Sequence, residues 1–133
     1  MVNSIVNKKI LFVTGGTGGH IFPALSTYEI LKKTSSNISF ATDERGFKNK
    51  ELSMFKPILI NSAGFEGKTL FFKIYSLIIL CIAILKALIF LKKKNISIVL
   101  GFGSYVQVPF VAAALLLKRD VVLHEANAVI GRA

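Results

Sequence analysis

The stretch ILFVTGGTGGHIFPAL, residues 10–25, constrains the fold of this 133-residue chain more than any other. An apolar run of strand length meets glycine at four of five successive positions, and apolar residues at helical spacing follow. A strand, a glycine turn and a helix in this order are typical of parallel α/β folds. Amides at such a helix start lack partners within the helix and attract anions. The glycines are expected to allow positive φ angles and the close approach of a phosphate.

The remainder of the chain repeats this alternation of strands and helices. Apolar runs bounded by turn residues predict the other strands, and helical spacing predicts the helices. In the first helix, Pro23 is predicted in the first turn, and Lys32 and Lys33 in the last. Strands that alternate with helices indicate an α/β fold with a doubly wound parallel sheet. The predicted strands are residues 9–14, 37–43, 57–64, 95–103 and 120–127, and the predicted helices are residues 21–33 and 106–118.

The unusual residues of this sequence follow three of the predicted strands. The first strand is followed by GGTGGH, the fourth ends in GFGSY, and the fifth ends in HEAN. Parallel sheets bind their ligands outside the carboxyl ends of the strands. We therefore expect the three motifs to share one edge of the sheet and to form one site.

The residues after the first glycines limit which anion this loop binds. A P-loop would place Lys and then Ser or Thr where this chain has His20 and Ile21, so a P-loop is excluded. A dinucleotide loop stays open, with Gly16 and Gly18 as its first glycines and Asp43 as the ribose-binding acid, although Ile21 occupies its third glycine position. The second glycine motif favours a diphosphate held between two strand ends.

His20 is the candidate general base. The positive end of a helix dipole disfavours a charged imidazole, and a neutral imidazole beside a diphosphate is suited to accept a hydroxyl proton. The alternative is that His20 only caps the helix. His124, in the predicted fifth strand, is expected to form structural hydrogen bonds. Glu125 and Asn127 are expected at the rim, where Asn127 can bind sugar hydroxyls and Glu125 can orient a hydroxyl or cap a following helix.

Residues 68–94 form a long apolar segment with two internal lysines, Lys73 and Lys86. Three interpretations stay open: a helix on the sheet whose apolar edge touches a membrane, a core helix, or a membrane span, which needs about 20 apolar residues. The lysines at residues 92–94 suit anionic headgroups. The single cysteine, Cys81, indicates a reducing compartment and is expected to be a small buried hydrophobic residue.

The formal net charge of +10 predicts an anionic partner. A phosphorylated substrate and an acidic membrane surface are candidates, whereas nucleic-acid binding has charge alone in its favour and is not expected. Apart from the dinucleotide alternative, no motif indicates a cofactor, and no metal site is expected. Residues 1–13 lack the pattern of a secretory signal peptide.

Three motifs together are similar to those of a known family. GGTGGHIFPAL, VLGFGSYVQVP and VVLHEANAVIGRA resemble, in order and spacing, the N-terminal half of the MurG family. Its members are the undecaprenyl-diphospho-muramoylpentapeptide β-N-acetylglucosaminyltransferases of bacterial cell-wall synthesis. The resemblance covers essentially the whole chain and implies the GT-B fold, in which two Rossmann-like domains face each other across a cleft. Residues 1–133 would be the acceptor-side N-terminal domain, truncated before the donor-side domain and inactive alone.

The resemblance also implies roles for single residues. Two of them would be catalytic, His20 as the base for the 4-hydroxyl of the muramoyl sugar and Glu125 as its assistant. In this chain Ser104 replaces a glycine of the family's Gly-Gly-Tyr, and Ala126 replaces the Gln of His-Glu-Gln-Asn. The implied substrate-binding residues are Thr17, Gly18 and Gly19 of the first loop, Gly103, Ser104 and Tyr105 of the second, and Asn127 for the transferred N-acetylglucosamine.

The activity implied by the resemblance is an inverting hexosyl transfer. N-acetylglucosamine would move from UDP-N-acetylglucosamine to lipid I, giving lipid II for peptidoglycan synthesis and so for cell shape and division. A lipid-linked acceptor would keep the protein peripheral, on the cytoplasmic face of the bacterial inner membrane, where the apolar segment rests on the anionic surface. The alternative is a membrane-tethered, non-catalytic module that recruits a separate donor subunit.

Overall fold

The computed structural model describes residues 6–61 and 69–125 of the chain. Within these ranges, strands and helices alternate as predicted, except that two short helices not predicted from the sequence follow the second strand. The strands are β1 (Ile10–Thr14), β2 (Ile38–Thr42), β3 (Ile58–Leu59), β4 (Ile98–Gly101) and β5 (Asp120–Leu123). The helices are α1 (Gly18–Leu31), α2 (Glu44–Phe47), α3 (Lys50–Ser53), α4 (Leu70–Lys93) and α5 (Gln107–Leu116).

The five strands form one parallel sheet in the order β3-β2-β1-β4-β5. The chain runs outward from β1 to β3 and then crosses to β4 on the other side of β1, so the strand order reverses between β1 and β4. Val13 of β1 pairs with Ala41 of β2 on one side and with Gly101 of β4 on the other. The carboxyl ends of β1 and β4 therefore lie side by side, where parallel sheets bind ligands.

The central strand β1 is buried along its whole length because helices cover both faces of the sheet. Leu11 and Val13 belong to a buried cluster with residues of α4 and α5, whereas Ile10 and Phe12 belong to a second cluster with residues of α1. Successive side chains of a strand point to opposite faces, so one apolar strand serves both clusters. The predicted doubly wound parallel sheet is confirmed.

Helix α1 differs from its prediction at both ends. The helix begins at Gly18, so Pro23 is its sixth residue. The prediction that Pro23 lies in the first turn is therefore wrong. Proline has no amide hydrogen, so the helical bond that residue 23 would donate to the Gly19 carbonyl is missing. The helix ends at Leu31, and the prediction that two lysines lie in its last turn is also wrong because Lys32 is already the C-cap.

The strands are shorter than predicted, and β4 covers only Ile98–Gly101 of the predicted residues 95–103. The third strand is limited to Ile58–Leu59, and residues 62–64 of its predicted range lie outside the described part of the chain. The fifth strand ends at Leu123, so His124 follows it, although the His124 amide still donates to the Gly101 carbonyl at 2.8 Å.

Helix α4 has 24 residues and buries only one narrow stripe. Its buried residues Ser76, Ala83, Ala87 and Leu91 follow helical spacing, and the small ones let α4 lie close to α5. The helix is long and apolar enough to cross a membrane, with 22% of its most apolar window buried. Among the described residues, most of the apolar surface of α4 is therefore not covered by the core. The exposed large side chains are Leu70, Phe71, Phe72, Ile74, Tyr75, Leu77, Ile78, Ile82, Leu85 and Ile89.

The expected burial of Cys81 is wrong as well. Cys81 lies on α4 and is exposed, next to the apolar side chains of the unburied surface. Hydropathy along the sequence marks the helix as apolar, but it does not tell which face the neighbouring helix covers.

Candidate functional site

Two glycine-containing loops meet at the carboxyl ends of β1 and β4. We call residues 15–19 the first glycine loop and residues 101–105 the second glycine loop. A Cβ atom built on Gly15 would lie 2.4 Å from Cβ and 2.7 Å from Oγ of Ser104, so the two loops touch directly. The structure thus brings the first two sequence motifs together at one edge of the sheet, as expected.

The first glycine loop is glycine-rich because of close packing and not because of its φ angles. Among the described glycines, Gly103 of the second loop is the one with positive φ, so the expectation of positive φ in the first loop is wrong. A Cβ on Gly16 would lie 2.4 Å from Cβ of Arg45 and 2.4 Å from the amide nitrogen of Gly46. Gly15 and Gly16 therefore lack a Cβ atom where Ser104, Arg45 and Gly46 pack closely against the backbone of the loop.

The end of the first glycine loop has a different environment. A Cβ on Gly19 would meet no atom within 4 Å, so this position faces open space. Thr17 is the N-cap of α1, and its carbonyl accepts hydrogen bonds from the amides of His20 and Ile21 at 3.0 and 2.9 Å. Within residues 6–61 and 69–125, the Gly18 and Gly19 amides have no hydrogen-bond partner. Two amide donors at the positive end of a helix are thus accessible to an anion.

The imidazole of His20 lies between the two loops. Its Nδ1 atom is 2.8 Å from Oγ1 of Thr17. On the other edge of the ring, a Cβ on Gly103 would lie 2.6 Å from Cδ2 and 2.7 Å from Nε2, so the backbone of the second loop packs against this edge. The ring is half-buried and held on both sides.

Asp43 supports the first glycine loop from the end of β2. Its carboxylate accepts hydrogen bonds from the Gly16 amide at 3.3 Å and from the Gly46 amide at 2.9 Å, and the Arg45 guanidinium lies 3.9 Å away. Both carboxylate oxygens are therefore engaged within the protein. This arrangement argues against Asp43 as the ribose-binding acid of a dinucleotide site and assigns it a structural role.

The second glycine loop has a left-handed backbone. Gly103 has φ of 104° and Ser104 has φ of 71°. A residue with a Cβ atom is disfavoured in this region by about 1 kcal/mol. The glycine that the resemblance implies at position 104 would adopt this positive φ without the penalty. Tyr105 is half-buried, and its carbonyl accepts from the Val108 amide at 3.2 Å.

Gln107 is the site residue that the sequence analysis missed. It is the first residue of α5, is only 7% exposed, and its Oε1 atom accepts a hydrogen bond from the Gly103 amide at 3.0 Å. The available signal was a single amide side chain at the start of an otherwise apolar helix. The hydropathy of the helix as a whole does not distinguish this one polar side chain from its apolar neighbours.

The third motif begins beside the second glycine loop. The ring of His124 packs against the ring of Phe102, with centroids 5.6 Å apart, and the exposed residue Glu125 follows. The implied sugar-binding residue Asn127 and the substituted position Ala126 lie outside the described residues. In the described part of the chain, no group of three His, Cys, Asp or Glu side chains is arranged to hold a metal ion.

Comparisons with known proteins agree with this geometry. Residues 10–133 match the model of the glycosyltransferase family 28 N-terminal domain. The chain is 36% identical over 129 residues to the UDP-N-acetylglucosamine--N-acetylmuramyl-(pentapeptide) pyrophosphoryl-undecaprenol N-acetylglucosamine transferase of Francisella philomiragia, and 37% identical over 130 residues to the protein of that name from Desulfotalea psychrophila. The alignments cover 96% and 95% of this chain but 35% of each relative, so the chain spans about a third of their length.

A solved structure gives the same assignment. The crystal structure of Acinetobacter baumannii MurG superposes on 94% of this chain with a TM-score of 0.77 and 31% sequence identity, and the match covers 37% of that protein. The resemblance to the MurG family and the Rossmann-like fold inferred from the three motifs are confirmed. The chain belongs to the glycosyltransferase family 28 N-terminal domain family.

Proposed function

We propose that this chain is the acceptor-side domain of an inverting hexosyltransferase. The enzyme transfers N-acetylglucosamine from UDP-N-acetylglucosamine to lipid I and so makes lipid II for peptidoglycan synthesis. The relatives are named for transfer to a pyrophosphoryl-undecaprenol acceptor. The observation that carries the proposal is the contact between the two glycine loops at the β1–β4 reversal, with the His20 imidazole between them. In this proposal a second domain binds most of the donor nucleotide, and residues 1–133 alone are inactive.

The two glycine loops bind the acceptor diphosphate through main-chain amides. Gly18 and Gly19 supply donors at the positive end of a 14-residue helix, with open space beside Gly19. The Ser104 and Tyr105 amides likewise have no hydrogen-bond partner among the described residues. Two sets of amide donors in adjacent loops suit the two phosphoryl groups of a diphosphate, because backbone amides and a helix start attract negative charge.

His20 acts as the general base that removes the proton from the acceptor hydroxyl. When Nδ1 carries the ring proton and donates it to the Thr17 hydroxyl, Nε2 has a free lone pair on the edge facing the second glycine loop. Thr17 therefore acts on the acceptor through the orientation and tautomer of His20. By family resemblance, Glu125 assists this proton transfer and Asn127 contacts the transferred sugar.

The test is a substitution of His20 in a protein that joins this domain to a donor-side domain. His20→Ala is expected to lower turnover by roughly 10²–10⁴-fold, the usual contribution of a general base. His20→Asn, which keeps a hydrogen-bonding group toward Thr17 but accepts no proton, is expected to lose as much turnover. Near-normal turnover of His20→Asn would remove His20 from the chemistry.

The protein resides on the cytoplasmic face of the bacterial inner membrane as a peripheral protein. The exposed apolar surface of α4 lies against the bilayer, and Lys92 and Lys93 in its last turn face anionic headgroups. This placement brings the site to an acceptor whose polyprenyl chain stays in the membrane.

A second candidate function rests on the same helix. With 22% of its most apolar window buried, α4 also suits a span, so that the chain would be a tethered, non-catalytic module that recruits a separate donor subunit. Membrane extraction separates the two candidates. Alkaline carbonate releases a protein held by a surface helix, whereas a spanning protein stays in the membrane fraction.

A further inference from the structure

We propose that Gln107 is a positioning residue for His20. Its carboxamide fixes the second glycine loop in its left-handed conformation and so keeps the loop backbone against the Nε2 edge of the imidazole. This inference rests on the proposed function for its catalytic meaning, because it concerns the same site. Its structural part is testable without any substrate.

The burial of Gln107 requires a partner for its side chain. Every other residue of α5 is apolar, yet Gln107 is buried at 7% exposure. A buried carboxamide without a hydrogen bond is costly, so such groups are retained where they are paired. The partner here is the Gly103 amide, which donates to Oε1 at 3.0 Å.

The neighbouring glycine makes room for this carboxamide. A Cβ on Gly101 would lie 2.5 Å from Oε1 of Gln107, so no larger residue at position 101 is compatible with the observed rotamer. Gly101 does not have a positive φ, so backbone conformation does not explain its glycine. The space that Gln107 occupies does explain it.

The bond from Gln107 stabilises an otherwise disfavoured loop. Ser104 carries a Cβ atom at φ of 71°, directly after Gly103 at φ of 104°. The Gln107 side chain accepts from Gly103 while the Gln107 amide donates to the Ser104 carbonyl at 3.3 Å. One residue of α5 therefore bonds to both left-handed residues and ties their conformation to the helix.

The consequence for the site is twofold. Because Gly103 packs against Cδ2 and Nε2 of His20, a loop that relaxes would leave this ring edge without its support. The Gly103 amide is also withdrawn from any ligand, which leaves the Ser104 and Tyr105 amides as the loop's donors toward a diphosphate. Gln107 thus acts on the reaction through His20 and does not itself touch the acceptor.

The experiment compares two variants of similar side-chain length. Gln107→Met removes the acceptor oxygen, whereas Gln107→Glu keeps one, and Leu115→Met at an exposed position of α5 serves as the control. In ¹⁵N-labelled protein, Gln107→Met is expected to raise hydrogen exchange of the Gly103 amide about tenfold and to shift the His20 Nε2 and Cδ2 resonances. Gln107→Glu is expected to preserve the amide protection and the ring resonances.

The proposal is overturned when Gln107→Met leaves both the Gly103 exchange rate and the His20 resonances unchanged. If Gln107→Met does not fold, Gln107→Glu decides alone: an unprotected Gly103 amide in that folded variant contradicts the proposal, and a protected one supports it. Titration of the unsubstituted chain with inorganic pyrophosphate separates the two claims. Absence of binding there counts against the diphosphate function, while the exchange and ring data still decide the role of Gln107.

Discussion

The two glycine loops arise from the same strand–glycine–helix pattern, yet they satisfy their backbone groups differently. At the start of α1, the Gly18 and Gly19 amides have no partner within the described chain, and the space beside Gly19 is open. At the start of α5, the Gly103 amide bonds to Gln107, the next helical amides bond back into the turn, and Pro109 has no amide hydrogen. The first helix start therefore offers its own amides to an anion, whereas the second loop offers the Ser104 and Tyr105 amides and keeps the Gly103 amide bonded within the protein.

This difference shows that the number of glycines in a loop does not by itself predict that the loop binds an anion. Gly15 and Gly16 admit other parts of the protein, Gly101 admits a side chain, and Gly103 provides a positive φ. Among the glycines that the structure describes, Gly19 is the one with neither a crowded Cβ position nor a positive φ. A requirement for glycine at this position would therefore come from a ligand, and substitutions at the glycines can test the contrast.

The largest effect is expected from Gly15→Ala. The added Cβ would lie 2.4 Å from Cβ of Ser104, so the two loops must separate, at a cost of about 1–3 kcal/mol in the free energy of unfolding. Urea denaturation followed by circular dichroism measures this cost. An unchanged stability would show that the loops are not in contact as described.

Gly19→Ala is expected to act on binding and not on folding. The new methyl group meets no protein atom, and alanine favours the helix, so the free energy of unfolding should stay constant or rise by up to about 1 kcal/mol. Affinity for pyrophosphate, measured by calorimetry, should fall about tenfold because the methyl group limits the approach of a phosphate. Undiminished affinity would mean that the anion does not approach Gly19.

Ser104→Gly is expected to have the smallest effect, a gain of about 1 kcal/mol in the free energy of unfolding, because glycine adopts positive φ without penalty. Ser104→Ala serves as the control, since it removes the hydroxyl but keeps the Cβ atom, and it should give no gain. Thermal unfolding of the two variants in parallel measures the difference. An equal change in both would assign the effect to the hydroxyl and not to the backbone.

The parallel sheet and the contact of the first two motifs were predictable from the sequence. Local apolar patterns indicate the strands, and the order of strands and helices indicates that the strands are parallel. Strand ends of a parallel sheet share one edge, so a glycine motif after β1 and another after β4 meet once these strands are neighbours. The predicted start of α1 is three residues too late, because glycine is a poor helix former and the glycines hide the helical pattern. In the structure Thr17 is the N-cap, and the helix begins at Gly18.

Features that depend on the packing partner were not predictable from the sequence. Cys81 is exposed because α5 covers only a narrow stripe of α4, and hydropathy carries no information about that stripe. The dinucleotide alternative would place Asp43 on a ribose, whereas its carboxylate accepts hydrogen bonds from two amides of the protein. The role of Gln107 depends on a rotamer and on the backbone of a loop four residues away.

The central claim is that amides from both glycine loops hold one diphosphate at the β1–β4 reversal. The most direct measurement is a titration of the ¹⁵N-labelled chain with inorganic pyrophosphate, followed amide by amide. The account predicts that the Gly18, Gly19, Ser104 and Tyr105 signals shift together with a single dissociation constant, and that Gly103 stays protected. Shifts confined to the lysine-rich end of α4, with both loops unchanged, would contradict it.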